Sequence, residues 1–153
     1  MSPAVCFPEV EDRAPAVSRS MGQKRLGVRE TILLVEDEDA VRRIVCTILQ
    51  RHGYGVLDAP TPRRAFELFA EHGPRIDLLL ADVVMPEMSG LSLAERLVAK
   101  RHGLRVLFMS GYAGLASSFI GRAPTASLLN KPFQSSALLA KVHEVLTSPR
   151  MTP

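Results

Sequence analysis

The segment TILLVEDEDAVRRIVCTILQRHG, running from Thr31 to Gly53, decides how the rest of the chain is read. Thr31 to Val35 is a short run of β-branched and aliphatic residues, the composition of a strand buried on both faces in a parallel sheet. Four acids follow without interruption: Glu36, Asp37, Glu38 and Asp39. Val41, Ile44, Val45, Ile48 and Leu49 then recur at helical spacing. The pattern stops at His52-Gly53, where a glycine accepts the left-handed conformation that closes a helix. The segment is a strand, an acidic turn and a helix.

The same order of elements repeats downstream. Tyr54 to Leu57 reads as a second strand, and Thr61-Pro62 opens a helix that packs through Ala65, Leu68 and Phe69 and closes at His72-Gly73. Asp77 to Ala81 is the third strand, and a third helix runs from about Leu91 to His102-Gly103 through Leu91, Ala94, Leu97 and Val98. Arg105 to Met109 and Ala126 to Leu129 are the fourth and fifth strands, and Ser135 to Leu146 is the last helix, packed through Leu138, Val142, Val145 and Leu146. Between Gly114 and Thr125 the chain holds Gly114, Ser117, Ser118, Gly121 and Pro124, so the helix expected there is short, intrinsically weak and mobile. Five strands alternating with five helices predict an α/β fold built on a doubly wound five-stranded parallel sheet. Residues 1–28 contain Pro3, Pro8 and Pro15, mixed charges and no apolar period, and are expected to form a flexible N-terminal tail. Residues 29–148 form the expected folded domain, and residues 149–153 a C-terminal tail.

At 153 residues, 46% of them hydrophobic and 23% charged, the chain has room for one real core and little for a second. The formal charge of +3 is scattered, with no basic run longer than the pairs Arg42-Arg43, Arg63-Arg64 and Lys100-Arg101. These read as solvated helix faces, and no direct nucleic-acid contact is expected. Cys6 and Cys46 lack metal-ligand spacing, and no disulfide is expected between them, which suits a reducing cytoplasm. No stretch approaches the roughly 18 to 20 apolar residues that cross a bilayer, and no basic-then-apolar leader opens the chain. A soluble cytoplasmic protein with no membrane partner is expected.

In doubly wound sheets, ligands bind outside the carboxyl ends of the strands, where the strand order reverses. Just past the first, third, fourth and fifth predicted strands stand Glu36-Asp37, Asp82, Ser110 and Lys131. Three carboxylates sharing a crevice repel one another unless a cation sits among them. Oxygen ligands without His or Cys point to a hard ion, Mg²⁺ or Mn²⁺. A lysine and a hydroxyl opposite that ion are what a phosphoryl group needs, because its oxygens require donors and positive charge during transfer.

At this point the runs ILLVEDED (Ile32 to Asp39), LLLADVVMPEMSG (Leu78 to Gly90), VLFMSGYA (Val106 to Ala113) and LLNKPF (Leu128 to Phe133) resemble, in order and spacing, the signature of response-regulator receiver domains. The resemblance covers roughly Glu30 to Leu146, and the four motifs together are far more specific than any one. It implies a flavodoxin-like (βα)5 fold with strand order 2-1-3-4-5. It also implies that Asp82 accepts a phosphoryl group from a histidine kinase or histidine phosphotransfer protein. Asp37 would bind Mg²⁺ directly, Glu36 mostly through water, and Val84 through its backbone carbonyl. Ser110 and Lys131 would engage phosphoryl oxygens, with the Lys131-Pro132 bond cis, and Pro86 and Gly90 would shape the loop after Asp82. Ser110-Gly111-Tyr112 is similar to receivers associated with hybrid histidine kinases, yet no kinase core accompanies it here. The expected product is a stand-alone regulator that catalyses only its own phosphorylation and dephosphorylation. It would signal by changing shape to a downstream protein partner or a second copy of itself.

Plainer readings stand beside these. Taken alone, Asp82 is a helix-capping or turn aspartate, and only the other strand ends turn it into chemistry. Glu38 and Asp39 read as first-turn residues favoured by the helix dipole rather than as ligands. His52, His72 and His102 each precede a glycine at a helix end and read as caps, and His143 has no phosphodonor surroundings. Where relatives place an aromatic switch residue, three positions before the lysine, this chain has Leu128. Phosphate on Asp82 would then be reported through Ser110 and the weak segment after Gly114 rather than by a swinging ring. A haloacid-dehalogenase-like phosphatase would need a second aspartate two positions after Asp82, where Val84 stands. A flavodoxin-like nucleotide binder would need a phosphate loop where this chain has four acids. A DNA-binding regulator would need an output domain, and seven residues follow Leu146. The serious competitor is a phosphate sink or relay using the same site.

Overall fold

A computed structural model describes residues 29–111 and 126–148. They form strands β1 (Thr31–Val35), β2 (Gly55–Ala59), β3 (Ile76–Asp82), β4 (Arg105–Ser110) and β5 (Ala126–Asn130). The helices among the described residues are α1 (Asp39–Arg51), α2 (Pro62–His72), α3 (Gly90–Lys100) and α4 (Ser135–Thr147). The strands pair in parallel in the order β2-β1-β3-β4-β5, which is the doubly wound, flavodoxin-like sheet expected. The weak segment from Gly114 to Thr125 and both tails lie outside the described residues.

The uninterrupted apolar runs of β1 and β3 follow from burial on both faces of the sheet. Leu33, Val35, Leu79 and Ala81 join the core under α2 and α3, while Ile32, Leu34, Leu78 and Leu80 join the core under α1 and α4. Every one of these eight side chains is fully buried. At the helix ends, Thr61 Oγ1 accepts from the Arg64 amide at 3.1 Å and Ser89 Oγ from the Ser92 amide at 3.1 Å. Gly53 closes α1 with φ of +91°, and His52 Nδ1 lies 3.1 Å from the Ile48 carbonyl, the capping place read for it. Gly73 departs from that pattern. It stays right-handed, with φ of −43°, and α2 passes into a 3₁₀ turn at Gly73–Arg75.

Cys46, buried on α1, is disulfide-bonded rather than a free thiol. That corrects the expectation of unpaired cysteines, and the partner lies outside the described residues. Spacing that argues against a metal site says nothing about a covalent link between distant positions.

Candidate functional site

Parallel pairing brings the carboxyl ends of β1, β3, β4 and β5 to one edge of the sheet, and the ladder continues one residue past several strands. The Glu36 amide donates to the Ala59 carbonyl at 3.1 Å, the Val83 amide to Met109 at 3.0 Å and the Lys131 amide to Ser110 at 2.8 Å. The backbone at Glu36, at the residue after Asp82 and at Lys131 is therefore held by sheet bonds. Glu36, Asp82 and Ser110 are 1%, 7% and 1% exposed, so the polar ends of an otherwise apolar sheet are themselves buried.

Lys131 gathers the carboxylates. Its Nζ lies 3.2 Å from Glu36 Oε1 and 3.3 Å from Asp82 Oδ2, and the Lys131-Pro132 peptide is cis, as the resemblance implied. The other Glu36 oxygen, Oε2, accepts from the Glu38 amide at 3.1 Å, closing the turn after β1. Burial pushes the Glu36 carboxyl up to about 7; the Glu38 amide opposes this, Asp82's charge adds to it, and Lys131 opposes it. Burial alone would lower the Lys131 pKa, but the charges of Glu36 and Asp82 outweigh it and leave the group raised.

Glu36, Asp37 and Asp82 each place a carboxylate oxygen within 4.8 Å of the others. A small oxygen-seeking divalent cation fits this donor set. Its charge would also offset the burial, and the smaller push from Asp82, that raise the Glu36 carboxyl. The linkage has a definite sign. Between pH 4.5 and about 7 the folded protein holds a proton on Glu36 that the unfolded chain has lost. This group's contribution to metal-free stability therefore falls as pH rises through that window. Bound Mg²⁺ needs the carboxylate ionised, so Mg²⁺ should raise Tm more at pH 8 than at pH 5.5. Equal gains at both pH values, measured by calorimetry, would remove Glu36 from the metal set.

Val84, two residues beyond Asp82, exposes 51% of its surface. Leu128 pairs with Phe108 across β4 and β5 and packs, partly buried, against the α2–α3 core. Gly90 opens α3 against β3, and a Cβ there would overlap the Asp82 carbonyl oxygen. Only hydrogen fits. Gly90→Ala should cost about 1–3 kcal/mol in urea unfolding and displace the backbone at Asp82.

Two neighbours of the site were not singled out in the sequence. Arg42, read as half of a solvated basic pair, has only 12% of its side chain exposed and bonds Asp58, Asp39 and the Glu36 carbonyl. Its spacing from the last acid, three positions, was the available signal. Asp58, inside a fully buried β2, had none beyond being an acid in an apolar strand. Asp39 is the first-turn acid of α1, as read, whereas Glu38 stands one position earlier as its N-cap and makes no side-chain capping bond.

The family model for the response regulator receiver domain matches residues 32–143. The chain is similar to the response regulator receiver protein CpdR of Brucella abortus, with 35% identity over 75% of this chain and 95% of that one. It is 36% identical to the sensor kinase CckA of the same organism over 88% of this chain, which spans 15% of that kinase's length. The crystal structure of the receiver domain from the hybrid histidine kinase CckA superposes with a TM-score of 0.67 at 32% identity, covering 76% of this chain and 99% of that one. The sheet order, the carboxylates and lysine at its edge and these matches agree: the chain belongs to the response regulator receiver domain family of two-component signalling.

Proposed function

We propose that this chain is a single-domain response regulator that takes a phosphoryl group onto Asp82 from a histidine kinase or histidine phosphotransfer protein, with Mg²⁺ or Mn²⁺ at Glu36, Asp37, Asp82 and the Val84 carbonyl. The observation that carries this reading is the Lys131 ammonium set between the buried Glu36 and Asp82 carboxylates at the sheet edge. An oxygen of Asp82 attacks phosphorus, forming an acyl phosphate as the bond from phosphorus to the donor imidazole nitrogen breaks. The electron pair leaves with the imidazole. Lys131 and Ser110 supply the donors that the phosphoryl oxygens need as charge redistributes. A bound divalent ion adds positive charge that lets the three carboxylates and the phosphoryl group share one crevice.

Incubation with acetyl phosphate and Mg²⁺, or with a panel of kinases, should add one phosphoryl group that hydroxylamine removes and that borohydride reduction maps to Asp82. Failure to accept phosphate from every donor would overturn the reading. An apolar Val84 cannot orient an attacking water, so the phosphorylated state should last minutes or longer; complete decay within seconds in magnesium buffer would refute this. Leu128 favours a second reading, a phosphate sink or relay, because an aliphatic side chain packed beside Phe108 offers no ring to swing. Phosphorylation that leaves the amide exchange of Ser110 and its surroundings unchanged would favour the relay over a shape-changing regulator.

A further inference from the structure

The first turns of α1 contain a cation where elementary electrostatics disfavours one. A helix N-terminus carries partial positive charge, and a site built to hold a divalent cation gains nothing from a neighbouring guanidinium. Arg42 nevertheless turns into the protein. Its Nη1 donates to the Glu36 carbonyl at 2.9 Å, its Nη2 to Asp39 Oδ1 at 2.6 Å and its Nε to Asp58 Oδ2 at 3.1 Å. One planar group thus grips the acidic turn on both sides of Asp37, at the residue before it and at the second residue after it.

Asp58 anchors this grip to the sheet. It lies on β2 opposite Leu34 of β1, is 9% exposed, and leaves Oδ1 buried with no hydrogen-bond partner. An incompletely satisfied buried carboxylate is costly. A solvated helix-surface ion pair would carry no such cost. The Arg42–Asp58 pair therefore joins β2, the turn after β1 and the start of α1 at their common corner.

We propose that Arg42 is a positioning residue for the divalent-metal site: braced by Asp58, it holds the Glu36–Asp39 turn in the shape that presents Glu36 and Asp37 to the ion. The inference rests on the reading of Glu36, Asp37 and Asp82 as the metal site. A lysine cannot replace Arg42, because one ammonium on a flexible stem lacks the planar fork that reaches three acceptors on different elements.

Charge and geometry predict opposite signs, which makes the test decisive. If Arg42 acted only as a nearby positive charge, removing it would tighten Mg²⁺ binding. If it acted only as structural support between α1 and β2, its loss would lower stability and leave Mg²⁺ affinity unchanged. Positioning requires weaker binding. Mg²⁺ titration calorimetry on the full chain, below the unfolding transition of each variant, should show affinity about 10-fold or more weaker in Arg42→Met and Arg42→Lys. Asp58→Asn, which weakens binding on charge grounds as well, discriminates through its coupling: it should add little in the Arg42→Lys background, because both changes release one brace. Arg42→Lys keeps the charge, and so serves if Arg42→Met does not fold. Unchanged or tighter Mg²⁺ binding in folded Arg42→Lys and Asp58→Asn overturns this inference alone. Absence of Mg²⁺ binding by the unaltered protein overturns the reading of the metal site and this inference with it.

Discussion

Asp82→Asn should take up no phosphoryl group from acetyl phosphate or from any kinase that phosphorylates the unaltered protein. The substitution keeps the size of the side chain and removes the charged nucleophilic oxygen, so what is lost is chemistry rather than packing. Its neighbours sharpen the expectation. Asp82 lies 3.3 Å from Lys131 and adds to the upward push on the Glu36 carboxyl. With its charge gone, Glu36 ionises more readily and Lys131 retains it as a partner. Metal-free Asp82→Asn should therefore be folded and no less stable than the parent near neutral pH, while its Mg²⁺ affinity falls because one of three carboxylates is neutral. Intact-mass measurement after incubation reads the first outcome, and urea unfolding the second. Undiminished uptake in Asp82→Asn would place the acceptor elsewhere.

Lys131→Met should slow phosphoryl uptake by about 10²–10³, the loss that follows removal of one positioned donor from a transferring group. Methionine preserves the unbranched stem and deletes the ammonium that touches Glu36 Oε1 and Asp82 Oδ2. The same change frees both carboxylates from an internal cation that competes with the metal. Mg²⁺ affinity should therefore rise as transfer slows. The two movements have opposite sense, and that separates loss of a catalytic donor from general damage, which would depress both. Single-turnover uptake at saturating Mg²⁺, set beside Mg²⁺ titration, provides the comparison. Transfer at the parental rate would remove Lys131 from the chemistry.

Much of the architecture was legible because it is written in local patterns. The apolar run at Thr31 to Val35 is set by burial on both faces, and the caps at Thr61 and Gly53 are set by the needs of helix ends. The placement of the candidate residues was legible too, since a parallel sheet brings the carboxyl ends of its strands to one edge, so Glu36, Asp82, Ser110 and Lys131 could be set there before any distance was known. Arg42 was not, because a basic residue in a helix looks the same whether it points to water or folds back on the preceding turn. Its burial depends on Asp58, sixteen positions away on a strand whose own pattern was read as ending at Leu57. The close approach of Gly90 to Asp82 was only partly foreseen. Its place in the loop was read, but the contact comes from how α3 docks against β3, which no local pattern encodes.

Val84 stands half in solvent two residues beyond the buried Asp82. Surface substitutions of this kind usually alter folding free energy by no more than about 0.5 kcal/mol. If Asp82 is the acceptor, substituting Val84 should reset the lifetime of the phosphorylated state at a position the fold barely monitors. Such a molecule can be retimed, by selection or by design, without being rebuilt.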